Sequence, residues 1–475
     1  MPFQKVVSPR ALPVAFCLLG LYWIYLLFAT QPVVIYDAAG YLQLGKLLME
    51  QGWTAYFKTG PNREPLFPLL ISFSLSFQQW TGVSFSIVVK IILMLFLAAT
   101  MAGVYRILRM LGVGPMISGW ASFYTGASPV LLNSTLWLWS EAAAYPWVVW
   151  TIIFTVWIWR GLAEGVRAGV LARLALALAF MFIVLTMVKA VAATVFLFYL
   201  APFYFYLIFS AARLDWFRVR RIGLVLIILA GIFSVAIHFY KSLNERYNGQ
   251  YLLTDRGDWA LYGNTVRRLQ PLNKDRFNQA VLSVPRLGLC EKFYGRQCVF
   301  WTFVVSDAIS NQALQKVNTS GYSSEERHQF FISKSLEWMR QHPFQQMGLM
   351  VLEGAKMFFW ENKLYFVRYP AWLVTLYSRP ALIYTLCFGW AMLSLAGLIH
   401  GMIAFGKKIF SRQLFGDDAG CLMFTLSFVF WFIAVYTLFF IDIRYAFPIA
   451  PLFVILAFYF IHHLQGKIQK ALRSQ

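Results

Sequence analysis

Charge is scarce in this chain, and negative charge is scarcest. Only 13% of its 475 residues are charged, and just 20 are Asp or Glu; a soluble domain carries roughly a quarter. Six histidines and five cysteines are scattered, and no HExxH, CxxC or Walker pattern occurs. Zinc-protease, thioredoxin-like and P-loop chemistry are therefore not indicated. No internal repeat is evident, and only the short termini look disordered.

Hydrophobic residues fill that gap, at 60% of the chain, with 18% aromatic. Many apolar runs exceed the roughly 18 residues needed to cross a bilayer core of about 30 Å, and the aromatics suit interfacial belts. The expectation is an all-α polytopic membrane protein. The net charge of +21 would suggest nucleic acid in a soluble protein. Here it is assigned to cytoplasmic loops, where Lys and Arg set orientation and meet anionic lipid, so no nucleic-acid partner is expected. The first apolar run, Ala11 to Thr30, is too long for a typical signal peptide and has no small-residue cleavage site after it; it reads as a retained span.

The basic flanks orient the spans. Lys5 and Arg10 place the N-terminus inside. If both 65–80 and 85–105 crossed, Arg106, Arg109 and every later basic cluster would fall outside. If 65–80, led by Pro65 and Pro68, only lies against the membrane, all of them fall inside. The expected spans are then 11–30, 84–105, 115–132, 143–159, 171–189, 191–210, 222–240, 380–404, 421–441 and 446–463, about ten, with both termini cytoplasmic in a plasma (inner) membrane. The division is 1–240, an N-terminal catalytic module with membrane-surface helices in its first outer loop 31–83; 241–345, a mostly helical outer loop of about 100 residues; and 346–475, an interfacial helix and the closing spans. In the second loop, SSEERHQFFISKSLEWMRQ reads as an amphipathic helix capped by Ser323 or Ser324 and ended by His342-Pro343. The run 344–360 reads as interfacial. Cys290 and Cys298 share that loop and are a disulfide candidate in an oxidising compartment.

Four of the few carboxylates fall at the outer boundary: Asp37 in VVIYDAAGY, Glu64, Glu141 in SEAAAYPW, and Asp442. Carboxylates beside hydrocarbon are costly unless paired or facing a wet cavity. Glu64 beside Arg63 and Asp442 beside Arg444 have a ready explanation as structural ion pairs. Asp37 has only apolar and small neighbours, which favours a functional role. On the same side lie Arg63, Lys189, Lys356, Arg368 and Arg444. Lys189 stands alone between two apolar runs, and Lys90 reads as a snorkelling lysine. A carboxylate that deprotonates an acceptor hydroxyl, with cations to hold a departing phosphate, is the chemistry such a set supports.

The order of these features resembles a family, the membrane glycosyltransferases of the C-type fold that use polyprenyl-phosphate sugars, including protein O-mannosyltransferases and lipid A aminoarabinose transferases. The resemblance rests on the early Asp37, on Arg63-Glu64-Pro65-Leu66-Phe67-Pro68, on SEAAAYPW (140–147), on VKAV (188–191), on SLEWMRQHPFQQMGLMVLEGAKMFFW (335–360) and on IRYAFPIAPL (443–452). It implies an inverting transfer at the outer face to a lipid, glycan or protein hydroxyl. Asp37 takes the place of the catalytic carboxylate, assisted by Glu141. Arg63, Lys189, Arg444, Lys356 and Arg368 are candidates for the donor phosphate, and Tyr36, Tyr41, Glu64 and Tyr445 for the pocket or acceptor. Because Ala38 and Ala39 follow Asp37, where some relatives pair two acids around a metal, no metal or other cofactor is expected. An O-antigen polymerase or ligase and a transporter or flippase are the rivals. The first predicts essential outer-loop arginines, the second mid-span charges and broken helices.

Overall fold

The computed structural model describes residues 11–285, 287–361, 367–411, 416–439 and 443–474. Asp442 and Arg412 lie outside them. The protein is an all-α polytopic membrane protein. Among the described residues, nine helices are long and apolar enough to cross a membrane: Ala11–Ala29, Phe85–Met110, Ser140–Ala163, Ala168–Val188, Val191–Ala212, Trp216–Asn248, Pro380–Phe410, Asp418–Phe439 and Arg444–Arg473. Ser140–Ala163 forms the axis, buried over 78% of its most apolar stretch, whereas Ala11–Ala29 is buried over 11%. An apolar helix exposed on most sides needs lipid around it.

The expected span 115–132 is not one of the nine. It is two helices, Pro115–Ala127 and Pro129–Leu136, broken at Ser128. The pair still traverses the bundle. Gly119 packs against Leu12 near the start of the first helix, and the Trp137 indole donates to Val33 O at 2.6 Å, beyond that helix's other end. A broken helix in lipid must have its freed backbone groups satisfied. Glu361 does this: its Oε1 accepts from Val130 N at 3.1 Å, and its Oε2 from Ser128 Oγ at 2.6 Å and Tyr124 OH at 2.9 Å.

Lys90 is not a snorkelling residue. Its ammonium donates to Leu27 O at 2.5 Å and Thr30 O at 3.0 Å, and the side chain is buried. It caps the carbonyl end of the first helix, where a cation meets the negative end of the dipole.

Residues 66–81 form a helix, Leu66–Thr81, that packs along helix Asp37–Lys58. Gly45 permits the approach, since a Cβ there would sit 2.6 Å from Ile71 Cγ2. Both helices lie at the end of the bundle where the first span finishes. The opposite end gathers the basic clusters: Arg221 bonds Gly161 O at 3.2 Å, and Lys408 pairs with Asp418.

Loop 241–345 is helical, as expected. Ser323 caps Ser324–Gln341 in a capping box with Glu326; that helix stops before Pro343, and Pro343–Gly354 follows. Cys290 and Cys298 are joined by a disulfide.

Candidate active site

The end of the bundle beside Asp37 holds a polar hollow of about 340 Å³, lined by Asp37, Tyr41, Arg63, Glu64, Glu141, Lys189, Lys241, Arg256, Arg444 and Tyr445 among others. Residues that stand far apart in sequence meet there because each sits at a helix break or end. Asp37 opens helix Asp37–Lys58, where the helix dipole favours a carboxylate. The preceding Tyr36 has φ 49°, an uncommon value for a bulky residue, and this sharp turn folds the chain back from the first span. Arg63 lies in the turn before Leu66–Thr81. Glu141 is in the first turn of Ser140–Ala163. Lys189 is in extended conformation, φ −145° and ψ 102°, at the break between Ala168–Val188 and Val191–Tyr199.

Asp37 is the hub of the charges. Arg63 Nη2 pairs with its Oδ1, Arg444 Nη1 lies 2.7 Å from its Oδ2, and Arg256 Nη1 is 4.0 Å from Oδ1. Burial alone would raise the Asp37 carboxyl, but Arg444 and Arg63 overcome it and hold the group well below the usual carboxylate range. The Arg63 guanidinium also lies over the Tyr41 ring, 4.9 Å from its centre, and Tyr41 OH shares a hydrogen bond of 2.9 Å with Ser140 Oγ, one residue before Glu141. On the facing wall, Lys189 Nζ donates to Glu141 Oε1 at 2.8 Å. Glu64 Oε1 accepts from Ala190 N at 2.9 Å, which fastens the 189–190 break to the turn before Leu66–Thr81.

Of the residues singled out in the sequence, the structure brings Asp37, Tyr41, Arg63, Glu64, Glu141, Lys189, Arg444 and Tyr445 into this hollow. Three others do not line it. Tyr36 is 75% exposed. Lys356 is buried, with Nζ donating to Trp301 O at 3.2 Å. Arg368 pairs through its backbone with Gln31 in a short antiparallel ladder.

Arg256 and Lys241 line the hollow and escaped the sequence reading. Both stand in polar, charge-rich stretches where nothing marks one cation above its neighbours. Asp307, also in the 241–345 segment, lies within electrostatic reach of Arg444, Arg256 and Asp37, and burial raises its carboxyl above the ordinary value.

A second cavity, of about 490 Å³, is lined by Trp53, Phe57, Pro65, Met187, Phe239 and Tyr240 with other mostly apolar neighbours. It borders the first, because Pro65 follows Glu64 and Tyr240 precedes Lys241. A charged hollow thus adjoins an apolar one. That pairing suits an amphiphile whose anionic head and hydrocarbon tail need different solvents.

No family model matches the chain, and no curated protein matches it. Among solved structures, it is similar to the archaeal oligosaccharyltransferase AglB from Archaeoglobus fulgidus, in complex with an inhibitory peptide and a dolichol-phosphate, with 13% sequence identity and a TM-score of 0.47. All of this chain aligns, over 52% of the other, so it spans about half the length of that protein. A likeness this distant says nothing of a donor or acceptor here.

Proposed function

We propose that this protein is an inverting glycosyltransferase that moves a sugar from a polyprenyl-phosphate carrier to an acceptor hydroxyl on a lipid, glycan or protein, at the non-cytoplasmic face of a plasma membrane. The observation that carries this reading is the convergence of Asp37, Glu141, Arg63, Lys189 and Arg444 in one hollow beside an apolar cavity. The first gives a general base and a phosphate seat, the second a place for hydrocarbon.

In the transfer, the acceptor oxygen gives its proton to the Asp37 carboxylate and forms a bond to the anomeric carbon from the face opposite the phosphate. The bond from that carbon to the phosphate oxygen breaks, and its electron pair leaves with polyprenyl phosphate. Arg63 and Arg444 stabilise the developing dianion through charge-assisted bonds. Glu141, neutralised by Lys189, orients the acceptor across the hollow. The positive-inside rule supports the outer face, because the basic clusters gather at the opposite end of the bundle. The Cys290–Cys298 bond agrees with an oxidising compartment.

Metal independence is part of the proposal, since arginines already occupy the Asp37 oxygens. The broken helix at Ser128 is a feature of the transporter alternative. Its carboxylate, Glu361, is engaged by Tyr124, Ser128 and Val130, which gives the break a structural account.

The test is transfer by purified protein in sealed vesicles, supplied with polyprenyl-phosphate sugars and a pool of lipid, glycan and peptide acceptors. Product is expected on the leaflet opposite the basic clusters and at the same rate in EDTA. Loss of activity in EDTA overturns the metal-independent chemistry. Transfer in the basic leaflet overturns the assigned face, and no transfer from any donor overturns the function.

A further inference from the structure

Resting on that reading, we infer that Arg63, Arg256 and Arg444 together form the seat of the donor phosphate, that the Asp37 carboxylate competes with the phosphate for this seat, and that donor binding is what frees that carboxylate to act.

Charge is the first argument. The hollow is lined by five cations, Arg63, Lys189, Lys241, Arg256 and Arg444, against three carboxylates, Asp37, Glu64 and Glu141. Lys189 is spent on Glu141, and Glu64 takes a backbone N–H. The surplus therefore gathers around Asp37, where three guanidinium groups face one carboxylate. Asp307 lies within electrostatic reach of Arg256 and Arg444, yet the cations that line the hollow still outnumber its carboxylates. A departing phosphate monoester brings the negative charge that this excess favours, and guanidinium forks fit its oxygens as they fit a carboxylate.

Chemistry is the second. A carboxylate gripped by several arginines is strongly favoured in its ionised form and is a poor proton acceptor, because an effective base has its pKa nearer the working pH. Asp37, with three guanidinium groups around its carboxylate, is such a group. A phosphate that draws the guanidinium groups to itself removes their hold and returns basicity to Asp37 at the moment an acceptor is needed. The order of addition follows: donor first, acceptor second.

Topology is the third. Arg63 comes from the first outer loop and Arg444 from the start of the last span, Arg444–Arg473, but Arg256 opens helix Arg256–Arg268 of the 241–345 loop. Its side chain is 43% exposed, more than Arg63 or Arg444, and it stands off from Asp37. Arg256 is the group with room to move onto a phosphate, so its side chain closes the seat once the donor is in it.

The experiment measures binding of a short polyprenyl monophosphate, without sugar, to the purified full-length protein, alongside its melting temperature. Asp37→Asn is expected to bind this probe about tenfold more tightly than wild type, because the competing anion is gone. Arg256→Ala, at an exposed helix start, is expected to bind it about tenfold more weakly, and Arg256→Lys to recover part of the loss. Unchanged or weaker binding by Asp37→Asn overturns the competition, and unchanged binding by Arg256→Ala overturns the third guanidinium. If the wild type and all variants melt normally and none binds the probe, the polyprenyl-phosphate reading itself falls.

Discussion

Turnover in Asp37→Asn is expected to fall by about 10²–10⁴-fold, the range for loss of a general base. The amide keeps the size of the carboxylate and offers its one oxygen to Arg63 or Arg444, while its NH2 faces the other guanidinium. What it loses is the ability to take a proton. Because the same change removes the anion that competes with phosphate, the apparent affinity for donor should rise while the rate falls. A purely structural role for Asp37 predicts the opposite pairing, with weaker donor binding in proportion to lost fold. The measurement is kcat and KM for donor in Asp37→Asn, with melting temperature as the control. Turnover within a few-fold of wild type would remove Asp37 from the chemistry.

The second large effect is on stability. Glu353→Ala is expected to destabilise the fold by about 3–5 kcal/mol, the usual result of stripping one partner from a buried ion cluster. The Glu353 carboxylate is buried and accepts from Arg267 and from Arg268, whose Nε lies 3.0 Å away. Arg267 Nε also reaches Ser306 Oγ at 3.0 Å, and Arg268 Nη2 reaches Thr437 O at 2.6 Å. These bonds lock helix Arg256–Arg268 onto Pro343–Gly354 and onto the end of Asp418–Phe439. Alanine leaves two guanidinium groups in the interior without their counter-ion.

Burial alone would raise the Glu353 carboxyl, but Arg267 and Arg268 hold it well below its usual value. Its contribution is therefore present above about pH 4.3, the unfolded value, and is lost as pH falls below it. Melting curves against pH for wild type and Glu353→Ala should converge at the acid end. A variant that melts within about 1 kcal/mol of wild type at neutral pH would mean that water reaches the cluster, since a solvated pair contributes that little. Because Arg256 begins the same helix, the variant should also bind donor more weakly.

Much of the membrane fold was legible because lipid imposes a simple rule: long apolar runs become helices, and Lys and Arg mark one side. That rule sets 65–80 apart from the spans, and the structure makes it a helix of 16 residues packed along Asp37–Lys58. It does not foresee the break at Ser128. Residues 115–132 read as one apolar run, and the glutamate that satisfies the break arrives more than two hundred residues later, at Glu361. Lys90 was misread for a related reason. Its partners are carbonyl oxygens of the first helix, which carry no signature in the sequence.

At the site, the carboxylates were visible because they are rare and stand next to long apolar runs in the sequence, where each needs an explanation. The cations were harder. Lys189 stood out in an apolar setting, whereas Arg256 and Lys241 belong to charged stretches in which nothing separates a site residue from a solvated one. Lys356 and Arg368 looked equivalent to Arg63 by side of the membrane alone. Packing directs Lys356 to a backbone carbonyl and leaves Arg368 on a short ladder.

The claim beneath all of this is physical: an anionic lipid head sits among the arginines around Asp37 while its tail lies along the apolar cavity next to them. A photoreactive polyprenyl phosphate, activated on the purified protein and mapped by peptide mass spectrometry, reads this out directly. Saturable labelling of peptides covering 37–65, 183–194 and 236–260, competed by unlabelled polyprenyl phosphate, is the predicted result. Labelling confined to the basic end of the bundle, or spread over every lipid-facing helix without saturation, would contradict it.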